Sequence, residues 1–252
     1  MTEQVSRRMI LLTGAAGRIG SAFFAATADR FAFRLAAKVG APPAPPSPQA
    51  AWLNLDVADL AACQAACVGV DTVVHLAADP AANADFYGSL LEANIKGTYN
   101  IFRAAKDQGC RRVVFASSAQ AVEGYALDQQ VLTSMPVRPK NMYGVSKCFG
   151  EAVAAYFAYQ EQLSSIVVRI ARYAELAPDA QYNARDLSAY LSQRDLMHLL
   201  VRCVEQPDVP FAIVHGVSNN RFKRLDLSDT ITRLGYAPQD DAFDLLGVPW
   251  LP

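Results

Sequence analysis

A doubly wound α/β fold, with a parallel sheet covered by helices on both faces, is predicted by three features of the 252-residue sequence. LLTGAAGRIG, Leu11 to Gly20, is a glycine-rich turn set between an apolar run and a segment with apolar residues at helical spacing. Beyond it, β-branched apolar runs alternate with helical stretches, as expected of strands buried on both faces. The informative polar residues fall just after those runs, at the carboxyl edge where such a sheet binds its ligands.

Taken in order, Met9 to Leu12 reads as the first strand and Arg18 to Thr27 as the helix after the turn. FRLAAK, ending at Lys38, reads as the second strand. APPAPPSP, Ala41 to Pro48, follows as a stiff exposed connection, because five prolines in eight residues cannot continue a helix or a central strand. Trp52 to Asp56 is a third strand, and Val57 to Cys67 an amphipathic helix with Asp59 in its first turn. Asp71 to Ala78 is the fourth strand, followed by a long helix from about Asp85 to Gln108. Arg111 to Ser118 is the fifth strand. A loop with Pro136 and Pro139 leads into a helix running from near Tyr143 to about Gln162, and SSIVVRIA and Phe211 to Ser218 supply strands six and seven. Right-handed crossovers between them give the doubly wound arrangement. The whole chain reads as a single domain, with residues from about 176 onward contributing the substrate-binding part.

With 52% hydrophobic residues the chain can bury a full core. Its 23 basic and 24 acidic residues leave a net charge of −1, so nothing marks a nucleic acid or an anionic membrane as partner, and a small molecule is expected. No apolar run is long enough to span a bilayer. Cys63, Cys67, Cys110, Cys148 and Cys203 are an odd set with no secretory leader ahead of the first strand, pointing to reduced thiols and a cytoplasmic location. Cys63 and Cys67 are one helical turn apart, but no second ligand pair at zinc spacing accompanies them, and no metal is expected.

The turn is a phosphate cradle. Gly14 permits the tight bend, Gly17 lets backbone approach a pyrophosphate, and Gly20 lets the helix pack close on the sheet, with free N–H groups at the helix start facing the anion. Arg18, Ile19, Val57, Leu76, Ala77 and Ala78 are the remaining wall of this expected dinucleotide site. Asp56 is placed to accept from an adenine amino group, and equally to cap the next helix. His75, inside an apolar strand, reads as a buried, hydrogen-bonded histidine rather than a catalytic one.

Ser117 and Ser118 end the fifth strand, and 25 positions after Ser118 the run YGVSK sets Tyr143 and Lys147 four apart on one helix face. A phenol near pKa 10 is a poor base, but a neighbouring ammonium and an oxidised nicotinamide both favour phenolate. Tyr143 is then the general base, Ser118 holds the substrate oxygen, and Lys147 anchors the nicotinamide ribose.

TGAAGRIG, VVHLAA, AANIKGTYNIFRAA, VVFASS and YGVSK, in order from Thr13 to Lys147, resemble the extended short-chain dehydrogenase/reductases. The resemblance implies a Rossmann fold, a nicotinamide cofactor and Ser118, Tyr143 and Lys147 as the catalytic set. It adds Asn94, associated in the family with a helix kink and a water relay. It also implies a homodimer or higher oligomer in which the long helix and the Tyr143 helix pair across a two-fold axis; Ala154, Ala155, Phe157, Ala158 and Tyr159 offer the packing face. YGVSKCFGE, VVRIA, ARDLSAYLS and VHGVSNN are similar to the uronate dehydrogenases, which oxidise the anomeric carbon of a hexuronate. In that likeness Arg185 contacts the substrate carboxylate.

The substrate end departs from that pattern. Asp79 and Pro80 stand where those enzymes have a serine, Ala119 and Gln120 follow the paired serines in place of Asn and His, and Ala171 and Arg172 replace Gly and Ser. Asp79, Ser117, Ser118, Gln120, Arg172 and Arg185 are therefore the expected substrate-binding set, in a pocket of changed volume and charge. Hydride transfer between NAD or NADP and an alcohol carbon of a small free sugar or sugar acid is the expected activity. Epimerisation or dehydration with retained cofactor, and a non-catalytic NAD(P)-binding protein, are the competing readings. NADP is slightly favoured, because Lys38 stands at the end of strand two where an NAD-specific domain places an acid, and Arg18 is expected to join it on a 2′-phosphate.

Overall fold

The computed structural model describes residues 7–38, 50–177 and 179–249; the proline-rich run 41–48 lies outside them. β1 (Met9–Thr13), α1 (Arg18–Thr27), β2 (Ala32–Ala37), β3 (Ala50–Asn54), α2 (Leu60–Cys67) and β4 (Thr72–His75) form the first half. A π-helical segment, Phe86–Lys96, then runs straight into α3 (Gly97–Asp107), and is followed by β5 (Arg112–Ser118), a 3₁₀ turn at Ala119–Ala121 and α4 (Met142–Tyr159). β6 (Ser164–Ile170), β7 (Arg172–Tyr173), α5 (Ala184–Ser188), β8 (Tyr190–Leu191), α6 (Gln193–Glu205), β9 (Phe211–Gly216), α7 (Ser228–Leu234) and α8 (Ala242–Leu245) complete it.

Seven parallel strands pair in the order β3-β2-β1-β4-β5-β6-β9. The strand order reverses between β1 and β4, which opens a crevice at their carboxyl ends. Alternation sends Ile10, Leu12, Val74, Val114 and Val168 to the face covered by α1 and α6. Leu11, Val73, Val113, Phe115 and Val167 go to the face covered by α2, α3 and α4. Both faces are buried, which is why the strands read as continuous apolar runs.

Several local boundaries differ from the sequence expectation for physical reasons. α2 begins at Leu60 rather than Val57, because Asp56 accepts from Ala58 N–H at 3.0 Å in its own turn and Asp59 is the residue that caps the helix, accepting from Ala62 N–H at 3.1 Å. The long helix is α-helical only in its second half. Leu90 N–H bonds to Asp85 C=O at 3.2 Å and Gly97 N–H to Glu92 C=O, five residues back in each case, so the backbone is widened beside the crevice.

Of the stretch beyond residue 176, β9 belongs to the main sheet and α6 packs on it, and a small separate cluster of Leu187, Tyr190 and Ala242 packs with Leu176, Tyr182, Phe243 and Leu246. On α4, Ala154, Phe157 and Ala158 are buried inside the fold, so they are not available as an outward packing face. Tyr156 and Tyr159 on α4 and Tyr99 on α3 are the exposed aromatics there, at 52%, 66% and 45%.

All five cysteines are free, Cys148 half-buried and the rest buried. Among the described residues no cluster of His, Cys, Asp and Glu is placed to hold a metal, and no helix is long and apolar enough to cross a membrane.

Candidate active site

The crevice is a cleft of about 930 Å³. Gly14, at the end of β1, adopts φ +68°, and a Cβ there would lie 2.8 Å from Ala77 N; a Cβ at Gly20 would lie 2.3 Å from Gly14 O. Glycine is required at both places, because the turn, the exit of β4 and the first turn of α1 meet without room for a side chain. Gly17 precedes α1 with no side-chain cap, so the helix start keeps N–H groups for an anion. Gly14, Gly17, Arg18, Ile19, Gly20, Lys38, Asp56, Val57, Leu76, Ala77 and Ala78 all line this cleft, as do Ser118, Tyr143 and Lys147 at its other end. A cradle of this kind, continuous with an elongated cleft, fits a dinucleotide.

Thr13 Oγ1 accepts from Ala77 N–H at 3.2 Å and is hydrogen-bonded to His75 Nδ1 at 2.8 Å. His75 Nε2 is buried without a partner, and burial, aided by the Lys147 charge, pushes the ring pKa down to about 3. His75 stays neutral and helps hold the carboxyl end of β4 to β1.

β5 delivers Ser118, and α4, capped by Asn141 accepting from Gly144 N–H at 2.7 Å, delivers Tyr143 and Lys147. Ser118 lies beside Tyr143 at the cleft wall, its hydroxyl accepting from Gln120 N–H at 3.2 Å. Lys147 Nζ donates to Ala116 C=O at 2.8 Å and lies 5.5 Å from the centre of the Tyr143 ring. Burial lowers the Lys147 pKa to about 8. Burial also raises that of Tyr143; the neighbouring Ser118 hydroxyl opposes this and the Asp79 charge adds to it. In the protein alone burial therefore favours the neutral phenol.

Asn94 is buried behind the cleft wall. It accepts from Asp79 N–H at 2.8 Å and donates to Asp79 C=O at 3.1 Å and Ser146 Oγ at 3.0 Å; Ser146 in turn donates to Tyr143 C=O at 2.7 Å. This amide ties the π-helical segment to both the β4 exit and α4. Asp79 faces the cleft, its carboxylate accepting from Ser89 Oγ at 2.5 Å and Ala81 N–H at 3.0 Å. Ser117 reaches the wall, but its hydroxyl donates to Glu151 at 2.7 Å, and Glu151 is held by Arg169 through bonds of 2.9 and 2.8 Å, both side chains buried. The Glu151–Arg169 pair was not singled out from sequence, although Glu151 lies four residues beyond Lys147 on the same helix.

The expected substrate set is not all brought together. Asp79, Ser117, Ser118 and Arg172 line the cleft, whereas Gln120 and Arg185 do not. Gln120 accepts from Asn141 Nδ2 at 3.0 Å, and Arg185 grips Glu123 through two bonds of 2.9 and 2.7 Å. Arg18 and Lys38 also part company. Arg18 donates to Tyr173 C=O at 3.4 Å and lies over the Tyr173 ring, on the β6 side of the crevice. Lys38, beyond β2, pairs with Asp56 at 2.8 Å, which raises its own pKa and lowers that of Asp56. Lys38 has its acceptor at its own edge of the sheet and Arg18 has one across the crevice, so they do not converge on one phosphate.

Known proteins share this arrangement. The chain is 35% identical to the NAD-dependent glucose-6-phosphate dehydrogenase of Haloferax volcanii, over 92% of this chain and 94% of that protein. It is 37% identical to the L-arabinose 1-dehydrogenase (NAD(P)+) of the same organism over 75% of this chain and 82% of that one. The crystal structure of uronate dehydrogenase from Agrobacterium tumefaciens superposes with a TM-score of 0.86 at 31% identity, covering 97% of this chain and 90% of that one. Residues 10–194 match the NAD dependent epimerase/dehydratase family, and the chain belongs to that family as an NAD(P)-dependent oxidoreductase.

Proposed function

We propose that this enzyme is a dehydrogenase that transfers a hydride between NAD(P) and an alcohol carbon of a small free sugar or sugar acid. The observation that carries this reading is that Ser118, Tyr143 and buried Lys147 line one end of a cleft whose other end is the glycine cradle. The relatives, which act on a sugar phosphate, a pentose and uronates by name, support the sugar class.

The bound nicotinamide supplies the site that exchanges a hydride with the substrate carbon. Ser118 Oγ and Tyr143 Oη together orient the substrate oxygen, and in oxidation Tyr143 acts from its ionised form, the substrate hydroxyl proton passing to the phenolate oxygen as the carbonyl forms. Lys147, its ammonium fixed on Ala116 C=O, stabilises negative charge on the phenol oxygen and faces the expected ribose. Because burial holds Tyr143 as a phenol, it is ready as the acid for carbonyl reduction, and oxidation is favoured by rising pH. Formation of reduced nicotinamide, followed by absorbance with purified protein and a panel of aldoses, uronates and polyols, tests the reading; no reduction of either cofactor with any of them would refute it.

On the finer points, we infer that NADP is accepted, slightly ahead of NAD. Lys38 stands where a carboxylate would repel a 2′-phosphate, and such a phosphate would take the place of Asp56 as its partner. Asn94 is assigned to positioning Asp79 and Tyr143. We further propose a cytoplasmic homodimer, formed across α3 and α4 through Tyr99, Tyr156 and Tyr159, in which each chain works as a single domain.

A further inference from the structure

The charged groups around the substrate end of the cleft are arranged against an anion. Arg185, the residue expected to meet a substrate carboxylate, has two of its guanidinium nitrogens on Glu123 at 2.9 and 2.7 Å and lies 3.7 Å from Asp186 through a third. Arg172 lines the cleft, but its Nε is 3.5 Å from Asp186 and its guanidinium lies flat against Tyr182, 5.2 Å from the ring centre. Glu123, Arg185, Asp186 and Arg172 thus form an alternating row with no net charge. Arg172 keeps one buried N–H group, on Nη1, without an acceptor, which suits a neutral hydroxyl or carbonyl oxygen as well as an anion. The Lys147 ammonium is turned to Ala116 C=O, and Arg18 to Tyr173 C=O.

Asp79 is different. Its oxygens accept from Ser89 and from the Ala81 N–H, and among the described residues no cation lies within ion-pair distance of it. The bonds from Asn94 to its backbone hold it at the wall, close enough to Tyr143 for its charge to raise the pKa of that phenol. A carboxylate with spare lone pairs, half-buried beside the reacting oxygen, accepts hydroxyl protons well and repels a second carboxylate.

We infer that the substrate is an uncharged free aldose or polyol, with one of its hydroxyls donating to Asp79, and not a uronate or a sugar phosphate. The inference rests on the dehydrogenase reading above and narrows its substrate class. It makes Asp79 the residue that excludes anions.

The test compares substrates that differ only at the terminal carbon: glucose with glucuronate and glucose 6-phosphate, and galactose with galacturonate. At least one aldose is expected to exceed its anionic counterparts in kcat/KM by tenfold or more. Asp79→Asn, with Asp79→Ser as the second variant, is expected to narrow that ratio at least tenfold, mainly by raising the value for the uronate. Calorimetry on Tyr143→Phe saturated with cofactor gives a readout independent of turnover, and the aldose is expected to bind more tightly than the uronate. A uronate or glucose 6-phosphate that matches or beats its aldose in the wild type overturns the inference and leaves the dehydrogenase reading standing. If Arg172→Ala then abolishes that anionic activity, the anion site is at Arg172. Absence of reduced nicotinamide with every sugar tested would overturn the dehydrogenase reading, and the inference with it.

Discussion

At the scale of single residues, Tyr143 carries the largest expectation. Tyr143→Phe removes the oxygen that takes the substrate proton while leaving the ring that packs near Lys147, so turnover should fall by roughly two to four orders of magnitude. Cofactor binding should be nearly unchanged, and near-normal activity would remove Tyr143 from its role. The proposed cofactor preference rests on Lys38. Lys38→Asp should weaken NADP at least tenfold relative to NAD, a difference of about 1.4 kcal/mol, because it sets a second carboxylate beside Asp56 where Lys38 now pairs at 2.8 Å. If titration shows the wild type binding NAD tenfold tighter than NADP, the phosphate-pairing idea is wrong. Tyr143, Lys147 and Ser118 were legible as a set because their spacing and chain order are properties of the sequence. The Asp79–Ser89 contact was not, since a carboxylate in a loop carries no sign of what it will face.

At the scale of elements, the π-helical segment is the least ordinary part of the fold, and Asn94 is the residue that binds it to its neighbours. Asn94→Ala would leave the half-buried Asp79 N–H and C=O without their partner and take one of the two bonds of the Ser146 hydroxyl, a cost of about 1–3 kcal/mol for each group that water does not reach. The variant should unfold at lower denaturant concentration, read by circular dichroism, and should lose activity beyond its loss of stability because Asp79 and Tyr143 shift. An unchanged unfolding midpoint would remove Asn94 from this role. The helix was visible in the sequence over nearly its full length. Its widened winding was not, since which carbonyl each N–H reaches is a choice of the backbone that no residue type in this stretch announces. The short pair of β7 and β8 escaped for a related reason: strands of two residues show no periodicity.

At the scale of the whole molecule, two buried histidines make the fold sensitive to acid. Burial depresses the pKa of His75 from 6.5 to about 3 and that of His215 to about 4. Below pH 6.5 the unfolded chain takes up protons that the folded chain refuses, so stability is full above that pH and declines toward pH 4, with a limiting slope of about 1.4 kcal/mol per pH unit for each ring. Denaturant midpoints measured from pH 7.5 to 4.5 should fall, and replacing His75 by Gln should flatten the fall; a midpoint independent of pH would contradict the buried neutral rings. Assembly is the second property of the whole. Light scattering at micromolar concentration should give a dimer, and Tyr156→Glu with Tyr159→Glu should yield a monomer; a wild-type monomer would remove α3 and α4 as an interface.

The sequence by itself determined the fold class, the positions of most strands along the chain, the glycine turn and the placing of Ser118, Tyr143 and Lys147 at one edge of the sheet. Those features follow from local periodicity, from glycine at positions such as Gly14 and Gly20 where backbones converge, and from chain order along one edge of a parallel sheet. Only the tertiary structure decided what the long charged side chains do. Arg185 meets Glu123 across 62 positions and Arg18 meets Tyr173 across 155. Such pairings depend on which loop ends the sheet brings within a few ångströms and on side chains that can swing toward several acceptors. A linear pattern of charges contains neither. For the same reason the sequence placed Arg185 at the substrate and Arg18 beside Lys38, while the folded chain neutralises the first and turns the second across the cleft.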